Sequence, residues 1–154
     1  MPGTPATILF VCSGNTCRSP MAEALLNARA GLFPAWRAES AGLAATPGTP
    51  ASFGAISVLR EWNLDLSAHR SRPLTAALVR RADLVIGLSS AHSAAILKRF
   101  PKAEPKTLSL GGFLPSSPDG IADPFGGDLD VYRRARDDID RALTALVSFL
   151  QTYF

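Results

Sequence analysis

Histidine and cysteine are scarce in these 154 residues, with two of each. His69 and His92 stand apart from any cysteine or carboxylate at metal-ligand spacing, which argues against a protein-built zinc site and leaves neither metal nor cofactor to expect. Cys12 and Cys17 share one short stretch instead of being spread along the chain as a disulfide framework would be, so a reducing, cytoplasmic setting is expected. Long apolar runs are missing as well. The N-terminal region offers only Ile8-Leu9-Phe10-Val11 with no basic segment ahead of it, so neither a signal peptide nor a membrane span is expected. Aromatic residues make up 8% and do not alternate with a dense basic stripe, which removes nucleic acid from the expected partners. The net charge of +3 is mild and uneven, cationic over 78–106 and anionic over 107–154.

What the chain does have is 47% hydrophobic content, enough for one sizeable core in a chain too short for two, so residues 1–154 are read as a single domain. Helical and strand patterns alternate, which points to an α/β fold with a parallel sheet. Strands are predicted over 7–11, 36–40, 83–88 and 106–110. Phe53, Ile56, Leu59 and Trp62 recur at three-residue steps, and Ala94-Ala95-Ile96-Leu97 runs up to Phe100-Pro101, where proline stops a helix; both stretches are predicted crossover helices. In the last helix Leu129, Tyr132, Ala135, Ile139, Leu143, Leu146 and Leu150 trace one face behind a cap at Asp128. Its other face pairs Arg133/Asp137, Arg134/Asp138 and Arg136/Asp140 at i,i+4 and is read as solvated, each pair contributing ~0.2–0.5 kcal/mol.

Strand-to-helix loops of a parallel sheet all leave from one carboxyl edge, where open α/β sheets hold their ligands. The loop from Cys12 to Arg18, then Ser40-Ala41-Gly42, Ser89-Ser90 and the 111–127 connection should therefore converge. The last of these shows no obvious element, and connections of that length are usually functional or disordered; Asp123 sits near its end.

Chemistry concentrates in Cys12-Ser13-Gly14-Asn15-Thr16-Cys17-Arg18-Ser19-Pro20, which follows an apolar strand and leads straight into a helix. Backbone N–H groups from Ser13 to Cys17 would cradle a tetrahedral dianion, helped by the following helix N-terminus. The same surroundings, with the Arg18 guanidinium, favour a thiolate at Cys12, the nucleophilic form of cysteine. Gly14 is read as allowing close backbone approach and Asn15 as tolerating left-handed dihedrals. Arg18 offers a planar fork that fits two phosphate oxygens. Ser19 and Pro20 are read as N-cap and first helical residue. Proline at 124 holds Asp123 extended, though Asp-Pro is also a common turn starter.

From Val11-Cys12 through Pro20-Met21-Ala22-Glu23 the chain resembles the signature loop of the low-molecular-weight protein tyrosine phosphatases. Ser40-Ala41-Gly42 and Leu66-Ser67-Ala68-His69-Arg70 resemble that family's next landmarks, and Asp123-Pro124-Phe125-Gly126-Gly127 resembles its acid loop. The resemblance spans essentially the whole chain and implies a single three-layer α/β domain, a four-stranded parallel sheet of order 2-1-3-4 flanked by about five helices. It further implies that Cys12 attacks phosphorus in line, that Arg18 holds the equatorial oxygens, and that Asp123 first protonates the leaving atom and then acts as base for the water that opens a phosphocysteine. Asn15, Ser19, Ser40 and His69 match a hydrogen-bond network that shapes the loop. Cys17 either forms a reversible, protective disulfide with Cys12 or fills the loop's inner face as a small residue.

The implied partners are a phosphorylated protein or peptide and a phosphate or other oxyanion. Thr16 before Cys17 resembles the phosphoarginine phosphatases, whereas tyrosine phosphatases often carry an aliphatic side chain there. Phe125-Gly126-Gly127 departs from the tandem tyrosines of many tyrosine-specific members. A guanidinium substrate brings N–H donors for Asp123 and the Thr16 hydroxyl and a planar face for Phe125, so phosphoarginine is favoured over phosphotyrosine by a small margin. Two rivals remain in view: the thioredoxin-coupled arsenate reductases, which resemble this fold but need two relay cysteines where only Cys17 is to spare, and a phosphate-docking module, which would need neither thiol nor acid.

Overall fold

The computed structural model describes residues 4–153. Four parallel strands form one sheet in the order β2-β1-β3-β4: β1 Ala6–Cys12, β2 Trp36–Gly42, β3 Leu84–Gly87 and β4 Thr107–Ser109. Five α-helices accompany it among the described residues: α1 Arg18–Asn27, α2 Phe53–Arg60, α3 Ala76–Arg81, α4 Ser90–Arg99 and α5 Leu129–Tyr153. The alternation of β1 side chains divides the core in two, as a sheet covered on both faces requires. Ile8 and Phe10 pack with α1, α2 and α5 through Met21, Val58, Ile139 and Leu143. Leu9 and Val11 face the other layer, with Val79 and Ile96.

Strand register brings the chemistry to one edge. Cys12 lies opposite Gly42 and Val11 opposite Gly87, so the loops after β1, β2 and β3 leave side by side. Backbone bonds then stitch them together: Leu43 N–H and Ala44 N–H reach Cys12 O and Ser13 O, both at 2.9 Å. Gly42 is small for this reason, since a Cβ there would stand 2.6 Å from Ser13 O and 3.0 Å from Asn15 N. The 111–127 connection is largely without regular structure beyond a 3-10 turn at Leu110–Phe113, yet it is tied down. Ile121 N–H donates to Leu88 O and Ser90 N–H to Asp119 O, both at 2.9 Å, around Gly120 at φ +107°.

Several local expectations are corrected. α1 begins at Arg18, with Cys17 at the cap position, and Ser19 is a buried residue inside the first turn whose hydroxyl turns to Cys12 instead of capping. The buried face of α2 is Gly54, Ala55, Val58 and Leu59, which leaves Phe53 79% exposed; Ser52 caps this helix and sets its phase. α3 went unpredicted, a six-residue helix capped by Thr75. In α5 the apolar face and the Asp128 cap are as expected, but the i,i+4 ion pairs are absent among the described contacts. Arg133 and Arg136 instead reach Glu61 beyond the end of α2, Asp140 takes Arg29, and Asp138 takes Arg141.

Candidate active site

At the carboxyl edge Cys12, Ser13, Gly14, Thr16, Cys17, Arg18, Asp123 and Phe125 line a cleft of about 220 Å³. The Cys12 thiol, on a residue only 3% exposed, sits 2.9 Å from Ser19 Oγ. Arg18 is buried, donates from Nη1 to Ile121 O at 2.9 Å, and holds Nη2 3.7 Å from Asp123 Oδ2. The Asp123 side chain is 58% exposed, and its Oδ1 accepts from Phe125 N–H at 3.0 Å, an Asx turn that fixes the carboxylate at the lip. Phe125 stands 76% exposed beside it. One arginine therefore touches both the cleft and the backbone that carries the acid.

The supporting network assembles around Asn15, which is fully buried at φ 56°. Its Nδ2 donates to Ser19 Oγ at 2.8 Å and to Ser40 Oγ at 3.0 Å, its Oδ1 accepts from Arg72 N–H at 3.0 Å, and its carbonyl lies 2.8 Å from His69 Nε2. Ser40 in turn donates to Glu23. These bonds hold a left-handed residue whose conformation the loop requires. The four network residues read from the sequence, Asn15, Ser19, Ser40 and His69, are thus brought together. At Gly14 a Cβ would meet nothing nearer than Thr16 Oγ1 at 3.7 Å, so the packing demand for glycine falls on Gly42.

Cys17 has a free, buried thiol with Ser52 Oγ at 3.3 Å and Tyr132 Oη at 3.5 Å, and Thr16 Oγ1 stands 3.8 Å away. Burial and the bond to Cys17 raise the Tyr132 phenol above its ordinary range. Ser52 and Tyr132 were not anticipated. Neither was His92, whose ring lies behind the cleft with Nε2 3.0 Å from Ser13 Oγ and Nδ1 2.9 Å from Ser89 Oγ. Burial, then the nearby Arg18 charge, push this imidazole down to about 4 against an opposing pull from Asp123. The signal was present: Ser89 belongs to a loop expected at this edge, and a residue three places on lies in the first turn of the helix it caps.

Among the described residues no group of three or more histidine, cysteine or carboxylate side chains could hold a metal ion, and no helix is long and apolar enough to cross a membrane.

Comparison with known proteins gives a family profile match over residues 7–153, to the family described as low molecular weight phosphotyrosine protein phosphatase. A protein-arginine-phosphatase of Geobacillus stearothermophilus is 44% identical over 148 residues, covering 96% of this chain and 98% of that one. Among solved structures, a cysteine-to-serine mutant of the arginine phosphatase YwlE with a phosphorylated active-site serine superposes with a TM-score of 0.89 at 36% identity, covering 96% of this chain and 97% of its own. The tyrosine phosphatase Wzb from Escherichia coli K30, solved with sulphate, has a TM-score of 0.85 at 32% identity and covers 94% of this chain and 97% of its own.

Proposed function

The chain belongs to the low molecular weight phosphotyrosine protein phosphatase family, and on that premise we propose that it hydrolyses phosphorylated protein side chains through Cys12, with phosphoarginine its preferred substrate. The observation that carries the mechanism is the meeting of Cys12, Arg18 and Asp123 at one small cleft. Cys12 Sγ attacks phosphorus as the bond to the leaving atom breaks, giving a phosphocysteine. The phosphorylated serine of the YwlE mutant supports such a covalent stage, and the sulphate in the Wzb structure supports an oxyanion seat. Arg18 binds two phosphoryl oxygens, and Ser19 donates to the sulfur. Asp123 hands its proton to the departing nitrogen or oxygen, then takes one from the water that attacks phosphorus and frees the thiolate.

Support for phosphoarginine is the likeness to named arginine phosphatases, the Thr16 hydroxyl at the cleft and the open face of Phe125. The setting is proposed to be cytoplasmic, where Cys12 and Cys17 stay reduced and pair only under oxidation.

The test is release of a chromogenic aryl phosphate with EDTA present. Cys12→Ser should lose turnover by about 1,000-fold or more, and Asp123→Asn should lose far less on an activated aryl ester than on an alkyl one. Turnover surviving in the serine variant rejects the nucleophile. Equal losses on both esters reject the acid.

A further inference from the structure

We propose that His92 is a positioning residue for this reaction: its neutral ring turns the Ser13 hydroxyl so that Ser13 donates a hydrogen bond to the oxyanion in the cleft. The inference rests on the phosphatase reading and adds a donor to the backbone amides.

Proton bookkeeping around the ring leads there. Ser89 Oγ accepts the backbone N–H of His92 at 3.3 Å, and Nδ1 lies 2.9 Å from the same oxygen. The arrangement that uses every proton has the Ser89 hydroxyl donating to Nδ1, which places the ring proton on Nε2. Nε2–H then donates to Ser13 Oγ at 3.0 Å. With its lone pair engaged from behind, Ser13 keeps its own O–H free, and this residue is exposed at the cleft wall between buried Cys12 and buried Asn15. The other tautomer would spend the Ser13 proton on the ring and leave that of Ser89 with no protein acceptor among the described contacts.

The ring must stay neutral for Nδ1 to accept, and its surroundings keep it so. His92 is buried in the first turn of α4, with Arg18 of α1 and Asp123 of the acid loop as the charges acting on it. The ring stands at the meeting of three loops. Leu88 N–H bonds Val11 O, Ile121 N–H bonds Leu88 O, and Ser90 N–H bonds Asp119 O, so a side chain fixed here is fixed relative to nucleophile and acid together. A histidine that served packing alone would need neither a link to an exposed cleft residue nor a capping serine on its second nitrogen.

A double-mutant cycle distinguishes the two roles, read as kcat on an aryl phosphate and as the competitive inhibition constant of orthovanadate. Ser13→Ala and His92→Phe should each lower kcat and weaken vanadate by about 10-fold, and the double variant should be no worse than either. Losses that multiply, or a Ser13→Ala enzyme with wild-type values, overturn the proposal. Should His92→Phe lose cooperative unfolding, Ser89→Ala replaces it in the cycle: its loss should vanish in the Ser13→Ala background, and no loss, or one that persists there, is equally fatal. If the unmodified enzyme fails to hydrolyse the ester, the phosphatase reading fails first; if it turns over while the cycle is additive, only the role of His92 falls.

Discussion

Asn15 shows what a single residue can organise. It occupies a backbone region that L residues rarely adopt, and side chains from α1, β2 and the 66–72 segment are bonded to it. Thr16, next along, faces the cleft without joining that lattice, which leaves its side chain free for the substrate selection proposed for it. Replacing its hydroxyl with an aliphatic group removes an acceptor for guanidinium N–H. Thr16→Ile should therefore shift the ratio of kcat/KM for phosphoarginine over phosphotyrosine peptides by about 10-fold toward tyrosine, and an unmoved ratio would deny Thr16 that role. At this scale the sequence was informative where local rules apply: left-handed Asn15, the Asp128 cap, the Phe100-Pro101 stop. Ser19 misled because serine before proline is a good cap in isolation, whereas here the hydroxyl finds a thiol and an amide across the loop.

Among the elements, α5 illustrates how tertiary partners override helix-surface pairing. Arg and Asp four residues apart gain little from each other in water, and any carboxylate on a neighbouring helix end competes easily. Glu61, just past α2, takes both Arg133 and Arg136, and these bonds hold its carboxyl down at about 2. Arg136 is only 7% exposed, donates to Val58 O at 2.9 Å in the last turn of α2, and stacks 4.0 Å from the Trp62 ring centre. A cation at a helix C-terminus is favoured by the macrodipole, and this one also closes an orphan carbonyl. Arg136→Ala should cost about 2 kcal/mol in urea unfolding, more than any exposed ion pair supplies. A change within about 0.5 kcal/mol would mean that α2 does not depend on the clamp. None of this was visible along the sequence, because it depends on which helix lies across from α5.

For the molecule as a whole, the legible part was topological. Alternating patterns gave the parallel sheet, and the parallel sheet gave one shared edge for Cys12, Ser40, Ser89 and Asp123. Less legible was how the 111–127 connection would be secured, since its anchors are a backbone bond from Ile121 N–H to Leu88 O and the Arg18 guanidinium on Ile121 O, both of which land on main-chain atoms that no side-chain pattern announces. The pH response belongs to this scale too. His92 titrates near 6.5 when unfolded and is held to about 4 when folded, so the unfolded chain takes up the proton first. This contribution is complete above the unfolded value and is lost as pH falls from there towards 4, a change of roughly 3 kcal/mol. Between about pH 7 and about pH 4.5, His92→Phe should lose about 2 kcal/mol less unfolding free energy than the unmodified protein. Parallel losses in the two proteins would assign the acid sensitivity to other groups.

Arg18 donates to Ile121 O while its second arm stands near Asp123, on a chain segment that joins no strand. Cys12 and Asp123, the proposed attacker and proton donor, thus share a mooring at Arg18, which works with the Ile121–Leu88 and Ser90–Asp119 backbone bonds to hold one loop against the other. In the proposed reaction a phosphate that tugs on that arginine would tug on the segment bearing the carboxylate as well, so that loading the cleft and presenting the acid would be a single mechanical act.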